Sequence, residues 1–341
     1  MIGNSANRSA TRQERWLTIR PCLAVLLFFC GTMPLFAADP VDPAIVTDRV
    51  FRLAFSEKMF SQVQVEDARA AMKVWMMTVF RERSIPTDPD PKIYDNLEEM
   101  LRGSQGKPAE GFGITSEECW QLSKEIKIDR LVVGAINGRI AEEYVVLVHR
   151  DSPIGSLADL RERSLIVLEN PRMSLATIWL DTFLLQNGMA ATAKFFKSTT
   201  LANKLSQVVL PVFFRNSDAC LVTRRGFQTM SELNPQVGKQ LRILATSQEL
   251  VPVLFAFRAD HASPFREQML VEMRRLPETP AGQQILTLLQ TERVEEQPMS
   301  CLTAAFELLA THQRLCSAVN SAKAKTETPG SGQKKSSMRG Q

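Results

Sequence analysis

The side chains best suited to chemistry in this chain are three histidines, six cysteines and the adjacent acids Glu117-Glu118 and Glu142-Glu143, and their spacing arms none of them. His149, His261 and His312 stand far apart, with neither the ligand spacing of a zinc site nor a nucleophile placed for a triad. Gly103-Ser104-Gln105-Gly106-Lys107-Pro108 has the outline of a phosphate loop. It lacks the first Gly of that motif, and Pro108 stands where a Ser or Thr must meet magnesium. There is no Gly-x-Ser-x-Gly and no GxGxxG. Glu117-Glu118 and Glu142-Glu143 are neighbours at a helix start or along a strand, where adjacent side chains point apart; they read as caps and solvated surface. No catalytic residue, metal site or cofactor is expected.

Binding chemistry is better supplied, because polar turns follow apolar strands. Ser56-Glu57 leaves one, Thr115-Ser116-Glu117 another, and Asn170 to Ser174, with Arg172, a third. Thr115, Ser116 and Ser174 precede helices, where hydroxyls and free N–H groups can receive an anion or simply cap. Thr177 lies one turn on. Asp218 starts a short strand, able to hold a cationic group at a rim or to cap a turn. Arg172 and Arg224 could clamp an oxyanion bidentately.

The elements needed to position these residues alternate. Val208 to Phe227 shows the grammar at its clearest: an apolar helix, a break at Arg215-Asn216-Ser217, Asp218, a strand at Ala219 to Val222, then Thr223-Arg224-Arg225 opening another helix. Further strands are expected at Val50–Phe55, Lys92–Tyr94, Gly111–Ile114, Leu131–Ile136, Glu143–His149, Ser164–Leu168, Lys194–Lys197, Leu241–Ala245 and Val253–Arg258. Helices are expected at Val65–Arg81, Leu97–Arg102, Leu175–Gln186 and Thr199–Val209, and the chain after Arg258 reads as helical throughout. In the first of these, Ala68, Met72, Trp75, Met76, Val79 and Phe80 form one apolar stripe. The pattern predicts an α/β protein of two lobes, each a mixed sheet flanked by helices. Residues 45–148 with 252–320 make the first lobe and residues 149–251 the second. Hinges are expected near Leu147–Ser152 and Ser247–Pro252, with a cleft where strand C-termini and helix N-termini converge.

The ends differ from the body. Arg8, Arg12, Arg15 and Arg20 precede an uncharged apolar run and Leu35-Phe36-Ala37-Ala38, the three-part pattern of an export signal over residues 1–38; retained, it would be an anchor. The formal charge of +4 resides in this segment and in the basic tail 321–341, which reads as disordered. The body between is acidic and is not a nucleic-acid-binding domain. Removal of the signal takes Cys22 and Cys30 and leaves Cys119, Cys220, Cys301 and Cys316, with three possible pairings in an oxidising compartment. Cys301 with Cys316 is opposed by the helix between them. Fifteen helical steps span ~22 Å, and disulfide Cα atoms must lie within ~7 Å.

Four stretches, in order, carry a resemblance: Asp67-Ala68 with Trp75, Asp151 to Leu160 (DSPIGSLADL), Ser217 to Val222 (SDACLV) and Thr279 to Leu286 (TPAGQQIL). Across residues 48–295 the chain resembles substrate-binding proteins of phosphate, phosphite and phosphonate ABC transporters (PhnD-like), within the type 2 periplasmic-binding fold. The resemblance implies a periplasmic monomer that closes on a small anion and docks on an inner-membrane permease. A sensor or accessory of a membrane protein, without transport, is the alternative. Family members carry a Ser/Thr/Gly-rich anion loop after the strand matching Leu165–Leu168. Here Glu169-Asn170-Pro171-Arg172-Met173-Ser174-Leu175 takes its place, with one N–H removed by Pro171 and a negative charge added by Glu169.

Overall fold

The computed structural model describes residues 50–60, 63–103, 107–260 and 263–326. The expected export signal with Cys22 and Cys30, His261, the middle of the Gly103–Pro108 loop and the tail beyond 326 lie outside them. The chain first builds β1 (Leu53–Ser56), α1 (Val65–Arg83), β2 (Lys92–Tyr94), α2 (Leu97–Arg102), β3 (Gly111–Thr115), α3 (Ser116–Leu122) and β4 (Ile128–Ala135). It then builds β5 (Tyr144–His149), β6 (Ser164–Leu168), α4 (Ala176–Gln186), α5 (Thr192–Phe195), β7 (Ser198–Ala202), α6 (Leu205–Phe213), β8 (Ala219–Thr223), α7 (Arg224–Leu233), α8 (Pro235–Gln240) and β9 (Leu241–Thr246). Last come β10 (Val253–Arg258), α9 (Arg266–Arg274), α10 (Pro280–Leu288), β11 (Arg293–Gln297) and α11 (Thr303–Thr326).

The strands sort into two mixed sheets, ordered β11-β4-β10-β3-β1-β2 and β7-β6-β8-β5-β9. In the first, alternation along a strand feeds two cores. Val253, Phe255 and Phe257 of β10 join Leu53 and Phe55 of β1 under α1, α9 and α10. Leu254 and Ala256 join Ala54, Phe112 and Ile114 beside α2 and α3. Gly111 and Gly113 are needed for this. A Cβ on Gly111 would stand 2.6 Å from the Phe257 ring, and one on Gly113 would stand 2.7 Å from the Phe55 ring. The phenylalanines of both neighbouring strands cross β3 in the space its glycines leave open.

The second sheet is more deeply buried. Tyr144 to Val148 are all 0 % exposed, the mark of a strand covered on both faces. Trp179, Leu180 and Leu184 of α4 and Val208, Val209 and Val212 of α6 complete this core, joined by Ala305, Leu308 and Leu309 of α11. α11 packs on α4 and also on α3, which belongs to the first sheet's layer.

Several expectations are corrected. Lys194–Lys197 is not a strand: Thr192–Phe195 is a helical turn, and the strand is Ser198–Ala202, paired parallel with β6. The helix after it starts at Leu205 rather than Thr199. β7 is a sheet edge whose residues are mostly exposed, so no apolar alternation marks it. β11, Arg-Val-Glu-Glu-Gln, is likewise an edge strand, in a stretch expected to be helical; only Val294 is buried and no apolar alternation marks it. Residues 321–326 continue α11 rather than beginning a disordered tail. β5 lies wholly in the second sheet, so the chain leaves the first over residues 136–143, not at Leu147–Ser152, and returns over 247–252. The two crossings are joined by reciprocal backbone hydrogen bonds between Glu142 and Leu250, each 2.9 Å. Among the described residues, no helix is long and apolar enough to cross a membrane.

Candidate functional site

Strand direction decides which polar turns can meet. β1 and β3 run parallel, as do β6 and β8, so each pair presents its C-terminal end together. The turn after β1 (Glu57–Phe60) touches the turn after β6 (Pro171–Met173), which brings the two lobes together at those ends.

On the first lobe, Ser56, Thr115 and Ser116 are all buried. Ser56 Oγ donates to Glu118 Oε1 at 2.7 Å. The Thr115 N–H and hydroxyl donate to Glu118 Oε2 at 2.9 and 3.0 Å, and the Glu118 N–H returns a bond to Thr115 Oγ1. This is a capping box at the start of α3. Ser116 Oγ donates to the Val251 carbonyl and its N–H to the Pro252 carbonyl, tying β3 to the returning crossing.

On the second lobe, Asn170 to Ser174 form a tight 3-10 turn whose Met173 and Ser174 N–H groups are spent on Asn170 and Pro171 carbonyls. The turn therefore presents the Arg172 side chain rather than free Met173 and Ser174 N–H groups. Arg172 is 3 % exposed. Its Nε donates to Glu142 Oε1, the oxygen that also accepts from Arg225 Nη2 at 2.7 Å. Two guanidiniums thus converge on one oxygen of a carboxylate that is itself 4 % exposed. Arg172 Nη2 and Asn170 Oδ1 are buried and lack a hydrogen-bond partner. Tyr144, entirely buried, donates to the Arg172 carbonyl at 2.9 Å and holds the turn in place. Burial, reinforced by the Glu142 charge, pushes its phenol far above the usual range, so it remains a donor. Ser174 Oγ donates to the Pro252 carbonyl at 2.9 Å. Beside this cluster lies an open cavity of about 180 Å³, lined by Arg139, Glu142, Glu143, Arg224, Arg225 and Gln228 among others.

The ten residues expected from sequence thus separate. Ser56, Thr115, Ser116, Asn170, Arg172 and Ser174 gather where the lobes meet. Arg224 lies at the cavity edge, paired with Glu143 at 2.9 Å and Thr246 at 3.1 Å. Glu57 and Thr177 are exposed. Asp218 is at the wrong end of its sheet for the rim. Its Oδ2 accepts from the N–H and hydroxyl of Ser164 at 2.9 and 2.8 Å, joining the starts of β6 and β8. It lines a separate cavity with His149, Asp151 and Arg215. Glu118 is the cap expected of it but is buried rather than solvated, and Glu142, expected on solvated surface, is buried as well. Thr115-x-x-Glu118 carried the signal for the first; nothing local distinguished Glu142, whose partners lie 30 and 83 residues away. Among the described residues no cluster of His, Cys, Asp and Glu could hold a metal ion.

Residues 60–300 match the model of the family described as "ABC transporter, phosphonate, periplasmic substrate-binding protein". The chain belongs to that family. It is a family of transporter binding proteins, not of enzymes. Among solved structures, the protein XAC2383 from Xanthomonas citri, bound to chloride ion, is similar with a TM-score of 0.55 and 15% identity, over 79% of this chain and 99% of that one. The same protein bound to ATP gives a TM-score of 0.55 and 16% identity over 80% and 99%. A binding protein component of an ABC phosphonate transporter from Pseudomonas aeruginosa gives 0.53 and 13% over 82% and 94%. At such identities the likeness speaks for the fold, two-lobed and of the type 2 periplasmic-binding class. No curated protein matches the chain.

Proposed function

We propose that this family member is exported to the periplasm, captures a small organic or inorganic anion between its lobes, and delivers it to the permease of an ABC importer. The lobes correspond to the two sheets, with the crossings at 136–143 and 247–252 as hinge. The observation that carries the ligand reading is Arg172. A guanidinium that is 3 % exposed, with one terminal nitrogen lacking any partner, is a costly group to keep unless something accepts from it. An oxyanion supplies that acceptor, and a hydroxyl or amino group on the same ligand would answer Asn170 Oδ1. Arg225 and Arg224 flank the approach, and Ser56, Thr115 and Ser116 form the facing wall.

The reading is tested by thermal shift over phosphate, methylphosphonate, methanesulfonate and acetate. A ligand at 100 times its Kd adds ~2.7 kcal/mol of stability. Stabilisation by one of these anions that disappears in Arg172→Met is expected; stabilisation that survives in Arg172→Met would overturn the site.

A further inference from the structure

Glu118 receives more donors than a helix cap requires. A capping box needs the N-cap hydroxyl and N–H and the Glu three residues on, here Thr115 and Glu118. The Glu118 carboxylate also takes the hydroxyl of Ser56 from a different strand, at 2.7 Å, and lies 3.6 Å from the ammonium of Lys58. One carboxylate thus draws on two hydroxyls, a backbone N–H at a strand end and a cation, while only 5 % exposed. Those are the donors an oxyanion would use if it were held from this lobe. Ser116, the remaining hydroxyl of this wall, is spent on the Val251 carbonyl.

We propose that Glu118 is a specificity-determining residue: its carboxylate occupies the oxyanion position of the first lobe, so the ligand is a small monoanion held from the second lobe, with a neutral end facing Glu118. This rests on the reading of the cleft as an anion site. A dianion, or a ligand with an anionic group at each end, would meet the Glu118 charge where the Ser56 and Thr115 hydroxyls and the Thr115 N–H are already spent. Methanesulfonate and acetate fit this requirement better than methylphosphonate in its doubly charged form.

The test is calorimetric titration of the folded protein with methylphosphonate and with methanesulfonate, at a pH where the phosphonate is doubly charged. Wild type, Ser56→Ala, Glu118→Ala, Glu118→Gln and the double variant S56A/E118A are compared. E118A is expected to bind methylphosphonate at least tenfold more tightly than wild type, and S56A/E118A to lose that gain. E118Q keeps the side chain's shape while removing its charge, so it gives a smaller gain in the same direction and serves if E118A does not fold. A cap alone predicts a loss of melting temperature without any gain in binding.

The proposal is overturned if neither E118A nor E118Q binds the phosphonate more tightly. It is also overturned if Ser56→Ala weakens binding tenfold while Glu118 is intact, since Ser56 would then serve the ligand. Either result leaves the anion site standing so long as Arg172→Met still abolishes binding. Absence of heat with both probes in wild type and in the Glu118 variants would remove the anion site and this role together.

Discussion

The hydroxyl of Ser174 and the backbone N–H of Ser116 share one acceptor, the carbonyl oxygen of Pro252, at 2.9 Å each. Ser174 belongs to the second lobe's turn, Ser116 to the first lobe's α3, and Pro252 to the crossing between them. Opening the lobes must break the Ser174 bond, whereas the Ser116 bond can stay with its own lobe. Ser174→Ala should therefore favour the open form, by about 0.5–1.5 kcal/mol for a hydrogen bond of this type. Small-angle scattering would show a larger radius of gyration than wild type in the absence of ligand. An unchanged radius would mean the bond contributes nothing to closure.

Removing Arg172 leaves Glu142 buried with Arg225 as its remaining charged partner. Breaking a buried pair in this way costs about 3–5 kcal/mol, most of it from the stranded charge. Arg172→Met should lower the urea midpoint accordingly, and the double variant R172M/E142Q should recover a large part of the loss. Equal stability of the single and double variants would show that Glu142 is fully compensated by Arg225.

Asp181 on α4 ties two elements to its helix. Its Oδ1 accepts from the Thr192 N–H at 2.6 Å, and its Oδ2 lies 3.7 Å from His312 Nε2 on α11. Burial would raise its pKa, but the neighbouring His312 ring and the hydrogen bond from the Thr192 N–H outweigh burial and hold it below the ordinary 3.8. A carboxylate depressed in the folded state stabilises above its unfolded pKa and loses that contribution as pH falls through the folded value. Wild type should thus lose stability as the pH drops below about 4, and Asp181→Asn should lack that part of the acid limb. Denaturation curves at several pH values would decide it, and parallel curves for the two proteins would remove Asp181 from the account.

The four described cysteines are free. Cys119 and Cys220 sit in separate cores, which prevents their pairing. Burial pushes the Cys119 thiol up to about 12 and the Cys220 thiol higher still. Thiolate is the reactive form, so both should resist a disulfide reagent at pH 8 until the chain unfolds. Cys301 and Cys316, partly exposed, should label in the native state. Native labelling of Cys119 or Cys220 would indicate local opening of its lobe.

What the sequence made legible follows burial. β5, β8 and β10 are apolar runs between turns and were expected close to where they lie. β7 (Ser-Thr-Thr-Leu-Ala) and β11 (Arg-Val-Glu-Glu-Gln) are mostly polar edge strands, and their pairing is decided by neighbours far along the chain. The site divided the same way. The hydroxyls of Ser56 and Thr115 were placed at strand ends because strand ends can be located from sequence. Glu142 was misread because its burial is created by Arg172 and Arg225. Asp218 was misplaced for a different reason: it precedes its strand, and in a parallel pair the rim lies at the carboxyl ends. Strand direction alone puts it on the far side of the lobe.

α11 adds a constraint of its own on how the molecule can move. A clamp connected only by two crossings could swing about them as a free hinge. Here the C-terminal helix rests on α3 of one half and α4 of the other, with Ala305, Leu308 and Leu309 sunk into the second core. Any gape must slide one of those contacts along the helix, a small shear rather than a wide swing. An open and a closed form would then differ by a small displacement at the rim rather than by a large change of shape.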